Sequence, residues 1–271
     1  MGKSNMKKKR NYLYVFLHLP KTGGTTFSEQ IKKHLKKNEF LDITHLRYGF
    51  EKVDLKNKKN LEKIKVILGH ASYYGIHKLF PKKIPRYIVF FRDPAERIVS
   101  AYNFEMRTKK GKLMDFWDWY NLQSKNEVVH FMDLKYKGKE GTKANMPDSF
   151  SKLYSNLFTI KGISYFFQRI FKIYSDLFKS SDNHLKKKLE NSKKLVDNCW
   201  KIGIISHLDD DLKILFKEIG VPTKWENSNV TEKSKTYFKL DEISRKKIYE
   251  DNKYDKELFY YAMARKERKS L

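Results

Sequence analysis

Apolar residues in this chain fall into short continuous runs that alternate with stretches patterned at helical spacing. Leu13–Leu19 is a run of β-branched, aromatic and aliphatic residues, the pattern of a buried strand. Beyond a polar break at Pro20–Thr26, Phe27, Ile31 and Leu35 recur four apart, which predicts an amphipathic helix. Lys36–Lys63 is Lys-rich and weakly patterned, and reads as a link to a second strand at Lys65–Leu68. A third strand is predicted at Arg86–Phe91. A helix start follows, with Asp93 as N-cap, Pro94 at the first position and Glu96 completing a capping box. That helix is expected to run through Ile98 and Tyr102 to about Arg107.

The stretch 111–200 is patterned less clearly. Aromatic clusters at Phe116–Tyr120 and Tyr165–Phe167 stand among charged, mostly helical segments, and Lys137–Pro147 reads as a Gly/Lys-rich loop. Lys201–Ser206 reads as a strand. Leu208–Ile219 reads as a helix, with Asp209, Asp210 and Asp211 in its first turn, Gly220 at its end and Pro222 beyond. Thr223–Phe238 is a polar loop, and Leu240 onward is helical. This order predicts an α/β fold, a central, mostly parallel sheet flanked by helices. One domain is expected over residues 12–271, preceded by a basic flexible tail at 1–11. Ligands of such sheets sit beyond the carboxyl ends of the strands. Lys21, His70 and Arg92 each follow a predicted strand end, so the three are expected on one rim.

Those positions carry chemistry. Pro20–Thr26 places Lys21, Gly23, Gly24 and the hydroxyls of Thr22, Thr25 and Thr26 between a strand and a helix N-terminus, the ingredients of an anion site. It is not the loop of nucleoside triphosphatases, in which the Lys follows the glycines. A second anion element is Arg92-Asp93-Pro94-x-x-Arg97-x-x-Ser100-x-Tyr102, since an Arg fork suits a phosphate. The same residues also suit a capped helix in which Arg97 pairs with Glu96, Glu105 or Asp93. His70 has the ordinary titration range of a general base. His77 and His207 are weaker candidates, His18 reads as structural, and Glu29 as a helper or a partner of the helix dipole. No metal spacing is present.

Composition narrows the picture further. The 271 residues include 58 Lys and Arg against 32 Asp and Glu, a net charge of +26, which favours polyanionic partners: nucleic acid, anionic membrane or acidic polysaccharide. Lysine on solvated faces accounts for part of that excess. With 19 Phe, 17 Tyr and 4 Trp the chain is too aromatic to be disordered. Cys199 is the only cysteine, which excludes an intrachain disulfide and fits a reducing compartment. No apolar run reaches the roughly 18 residues of a membrane span, and the basic N-terminus is not a signal peptide, so a cytoplasmic location is expected.

The motifs resemble those of a known family. Pro20-Lys21-Thr22-Gly23-Gly24-Thr25-Thr26 resembles the 5′-phosphosulfate loop of sulfotransferases, and the Arg92–Tyr102 element resembles their 3′-phosphate element, with Arg92 and Ser100 as its grips. Gly69-His70-Ala71-Ser72-Tyr73 resembles the segment holding the catalytic histidine of heparan sulfate and uronyl 2-O-sulfotransferases, departing from it at Leu68, where a second histidine is usual. Thr231-Glu232-Lys233 resembles a loop that closes over the nucleotide, which adds Thr231 and Lys233 to the donor site. The resemblance covers Tyr12–Met106 and Leu195–Arg265. It implies 3′-phosphoadenosine 5′-phosphosulfate as donor, adenosine 3′,5′-bisphosphate as product, no metal, His70 as base and Lys21 beside the leaving group. It further implies a carbohydrate acceptor, polyanionic in view of the charge, with 111–200 as a variable, mostly helical segment on the acceptor side and no specific nucleic acid partner. Two rival readings remain open: a nucleotide-dependent phosphotransferase, and a polyanion- or nucleic-acid-binding protein without activity.

Overall fold

The computed structural model describes residues 11–44, 61–108, 114–143, 182–224 and 237–270. Residues 1–10 of the basic tail, the whole of 144–181, which holds the Tyr165–Phe167 cluster, and the Thr231-Glu232-Lys233 loop lie outside the described residues. Five strands form one all-parallel sheet in the order β2-β3-β1-β4-β5, from β1 (Tyr12–Phe16), β2 (Phe40–Asp42), β3 (Val66–Leu68), β4 (Ile84–Phe91) and β5 (Lys201–Ile204). The helices are α1 (Gly24–His34), α2 (Pro94–Thr108), α3 (Phe116–Asn121), α4 (Glu127–Lys143), α5 (Asp182–Asn198), α6 (Leu208–Ile219), α7 (Glu242–Asp251) and α8 (Lys253–Ser270). The architecture is the expected α/β fold. No described helix is long and apolar enough to cross a membrane.

Strand side chains point alternately to the two faces, and both faces are buried. Tyr14, Phe16, Val66, Leu68, Ile88 and Phe90 pack under α1 and α6, against Phe27, Ile31, Leu212 and Phe216. Leu13, Val15, Ile67, Val89, Phe91 and Ile202 pack on the other face, against Val128, Val129 and Met132 of α4, Leu195 and Val196 of α5, and Leu258 and Ala262 of α8. Each such fully buried side chain contributes about 1.5–3 kcal/mol. Helices α4 and α5, from the stretch hardest to read in the sequence, therefore make up one layer of the fold together with α8. A satellite core joins α2, α3 and α7 through Ala95, Ile98, Tyr102, Phe116, Trp119, Tyr120 and Ile248.

Several boundaries differ from the sequence reading. Strand β1 stops at Phe16, and the buried Leu17 and Leu19 belong to the loop that follows. The polar link contains a short edge strand, β2, held by β3. Helix α4 continues through Lys143, across the start of the stretch read as a loop at Lys137–Pro147. Gly138 and Gly141 argued for a loop, since each costs about 1 kcal/mol in a helix, but extending a nucleated helix is cooperative. The C-terminal helical region is broken at Asn252, where α7 ends and α8 begins.

Candidate active site

Parallel strands put all their carboxyl ends on one rim. Lys21 follows β1, His70 follows β3 and Arg92 follows β4, three adjacent strands at the centre of the sheet. The expected convergence is therefore met by topology.

The turn after β1 is wound tightly. Lys21 has φ 65° and Gly23 has φ 77°, both left-handed, a backbone state that a lysine adopts rarely and at a cost. Thr22 is buried, and its hydroxyl donates to the Leu19 carbonyl at 2.9 Å, closing the turn from inside. Gly23 is the N-cap of α1 and offers no side-chain cap, and the first turn of α1 holds no acidic residue. Four N–H groups at a helix start lack intrahelical partners, so this positive end is left for an external anion. Thr25 is exposed in that first turn, whereas Thr26 is largely buried. Glu29 falls in the second turn of α1, one turn later than a start at Phe27 implied.

Helix α2 brings the second cation. Asp93 accepts from the Glu96 backbone N–H at 3.1 Å and is gripped from α7 by Arg245 at 3.0 Å and by the Tyr249 hydroxyl. Arg97 points away from the rim to Glu127, 2.8 Å off, rather than to any of the nearby carboxylates suggested by the sequence. Arg92 stays at the rim. Its Nε is buried and makes no hydrogen bond, with Glu96 an ion-pair partner at 3.6 Å. Ser100 and Phe104 continue the face that Arg92 and Glu96 begin, four residues apart at each step. Phe104 ends that row under Lys21, whose Nζ lies 3.9 Å from the ring centre, and the Arg107 guanidinium lies 5.6 Å from the same ring.

The result is a cluster of like charges. Burial first, then the charges of Arg92 and Arg107, lower the Lys21 ammonium from the usual 10.5 to about 8. Burial also lowers Arg92, with Glu96 pulling the other way. A bound dianion would relieve both penalties.

His70 stands on the neighbouring strand end, after Gly69 at φ 114°. Its ring stacks on that of His18 at 4.0 Å and 20°. Burial, then the charge of Lys135, hold His70 below the ordinary imidazole value, while a hydrogen bond to the His18 backbone pushes it up. His70 is thus neutral at physiological pH, the state a base needs. Burial, His70 and two lysines take His18 down to about 3, so it stays uncharged. His18 is more than a filler in a strand: its ring sits between His70 and the start of α1, and a Cβ on Gly24 would lie 2.4 Å from it. The other histidines are placed elsewhere: His77 Nδ1 contacts the Tyr87 hydroxyl at 2.7 Å, and His207 is exposed at the start of α6.

Residues 4–262 match the model of the sulfotransferase family, nearly the whole chain. This chain belongs to that family. It is a sulfotransferase, an enzyme that moves a sulfuryl group to an acceptor. No curated protein matches it at a significant level. The sequence motifs singled out Lys21, Gly23, Gly24, Arg92, Ser100 and His70, and the strand order brings Lys21, Arg92 and His70 to one rim. Phe104, Arg107 and Lys135 went unread. The four-residue spacing from Arg92 through Glu96 and Ser100 would have exposed Phe104. Nothing near Lys135 in the sequence points to His70, which lies 65 positions away.

Proposed function

We propose that this sulfotransferase uses 3′-phosphoadenosine 5′-phosphosulfate as donor and a carbohydrate hydroxyl as acceptor. The observation that carries the reading is the meeting of Lys21, Arg92 and Arg107 beside an uncapped helix N-terminus, with a neutral histidine on the adjacent strand end. Lys21 and the backbone N–H groups of Gly23, Gly24, Thr25 and Thr26 hold the 5′-phosphosulfate. Arg92, whose buried Nε lacks a hydrogen bond, and Ser100 hold the 3′-phosphate. Thr231 and Lys233 close over the nucleotide. In support, Tyr237, four residues beyond Lys233, lies close enough to act on Arg92's charge. Phe238 is tied to Asn103 of α2 through two hydrogen bonds, 2.9 and 3.1 Å, which holds the 237–238 segment against the helix that carries Ser100.

His70 takes the proton from the acceptor hydroxyl as its oxygen bonds to sulfur, and the bond from sulfur to the 5′-phosphate oxygen breaks. Charge grows on that bridging oxygen, and Lys21 with the α1 N-terminus stabilises it. Lys21, Arg92 and Arg107 supply the positive charge, and the scheme uses no metal. An acidic glycan suits the net charge of +26.

Calorimetry tests the donor. Adenosine 3′,5′-bisphosphate is expected to bind at least about tenfold more tightly than the same nucleotide without its 3′-phosphate, and Arg92→Ala to remove that difference, a loss of about 1.5–3 kcal/mol. Preference for ATP with Mg²⁺ would overturn the donor assignment. Turnover of p-nitrophenol with no competition from unsulfated chondroitin would overturn the acceptor class.

A further inference from the structure

Lys135 carries an amine sealed inside the protein, on the helix layer behind the His70 turn. It is 1 % exposed, and its Nζ donates to the His70 carbonyl and to the Ser72 carbonyl, each at 2.9 Å. The turn is fixed at its other corners too. The Ser72 hydroxyl donates to the Phe16 carbonyl at 2.6 Å, at the end of β1, and the Tyr74 N–H donates to the Lys135 carbonyl at 2.8 Å. An amine buried so completely is expensive unless something requires it. A hydrophobic residue of similar length would fill the same space at lower cost but would take away the donor that reaches the His70 and Ser72 carbonyls.

We propose that Lys135 is the positioning residue of the His70 base: its buried amino group pins the two carbonyls that bracket the turn and fixes the imidazole at the rim. The inference rests on the reading of His70 as base. Geometry and electrostatics act together. Among the described residues, Lys135 from α4 and His18 from the loop after β1 bear on His70. His18 is uncharged, and the charge of Lys135 opposes protonation of the His70 imidazole. In the acid range where His70 takes up a proton, Lys135 is an ammonium, so its charge opposes that uptake while its hydrogen bonds hold the turn.

The test is made on the full chain with Lys135→Met and Lys135→Gln, the latter retaining two N–H donors without charge. The His70 ring is titrated by NMR, adenosine 3′,5′-bisphosphate affinity is measured, and turnover of 3′-phosphoadenosine 5′-phosphosulfate is followed with unsulfated chondroitin. In both variants His70 is expected to titrate at higher pH than in the parent, with the acid limb of kcat moving in the same direction. Lys135→Met is expected to lose at least about tenfold in kcat with bisphosphate affinity within about twofold, and Lys135→Gln to recover part of that loss. Should Lys135→Met not fold, Lys135→Gln carries the test through its titration shift. An unmoved His70 titration in a folded variant overturns the proposal. A moved titration in an enzyme whose turnover is indifferent to His70→Ala leaves the positioning intact and overturns the base assignment instead.

Discussion

At the scale of single residues, the site is built on close approaches that leave little room. A Cβ at Gly24 would stand 2.4 Å from two atoms of the His18 ring and 2.8 Å from Phe16. His18 cannot yield easily, because His70 stacks on it at 4.0 Å and Phe16 at 5.2 Å. Gly24→Ala is therefore expected to push through His18 onto His70. Overpacking of about 1–3 kcal/mol is partly offset by the better helix propensity of Ala, so stability should fall by only about 1 kcal/mol. If His70 is the base as proposed, turnover should fall by about tenfold or more, since a base displaced by a fraction of an ångström works poorly. Urea unfolding beside steady-state rates checks this, and a loss of rate no larger than the loss of folded protein would contradict it. At this scale the sequence was legible where chemistry and local backbone coincide: Lys21, Gly23, Gly24 and Arg92 each sit where a strand turns into a helix. It was illegible where a contact is long-range. Lys135 lies in an ordinary Lys/Tyr-patterned helix, and only the fold reveals that its amine ends on the His70 turn.

At the scale of elements, strong periodicity fixed helices and central strands, and weak or conflicting signals hid the rest. Leu208–Ile219 was legible end to end because acidic residues mark its first turn and Gly220, at φ 84°, ends it. Strand β2 has three residues and takes its conformation from β3, which no local pattern announces. The junction of α4 with α8 shows how tertiary caps replace sequence-local ones. Asp255 of α8 accepts from the Val128 and Val129 N–H groups at 3.1 and 2.9 Å, capping α4. Asn126, just before α4, returns the favour by accepting from Tyr254 and Asp255 at 2.9 and 3.2 Å. Removing the Asp255 carboxylate leaves two buried N–H groups without an acceptor. Asp255→Ala is expected to lower stability by about 2–3 kcal/mol in urea unfolding. Because α4 also carries Lys135, protection of the His70–Tyr74 amides from hydrogen exchange should fall in the same variant. Unchanged exchange there would show that the α4 start and the His70 turn are uncoupled.

At the scale of the whole molecule, the sheet order explains why residues from three separate motifs share one rim, and the buried amines make stability depend on pH in a predictable direction. Burial lowers Lys135 from 10.5 to about 7, and burial followed by Arg92 and Arg107 lowers Lys21 to about 8. Below pH 7 both amines are charged in the folded and unfolded states, and the fold bears the full cost of the buried charges. Between pH 7 and 10.5 the unfolded chain still binds protons that the folded chain has released, so stability rises with pH through that window. The net charge of +26 acts in the same sense, since self-repulsion weakens as lysines neutralise. A control separates the two. Urea midpoints measured at pH 7 and pH 9 should increase for the parent protein and increase less for Lys135→Met, while a surface variant such as Lys213→Met, which removes one exposed charge, should follow the parent. Parallel rises in all three would assign the effect to overall charge alone. A smaller rise confined to Lys135→Met would show that this one buried amine, placed for the His70 turn, sets part of the protein's response to pH.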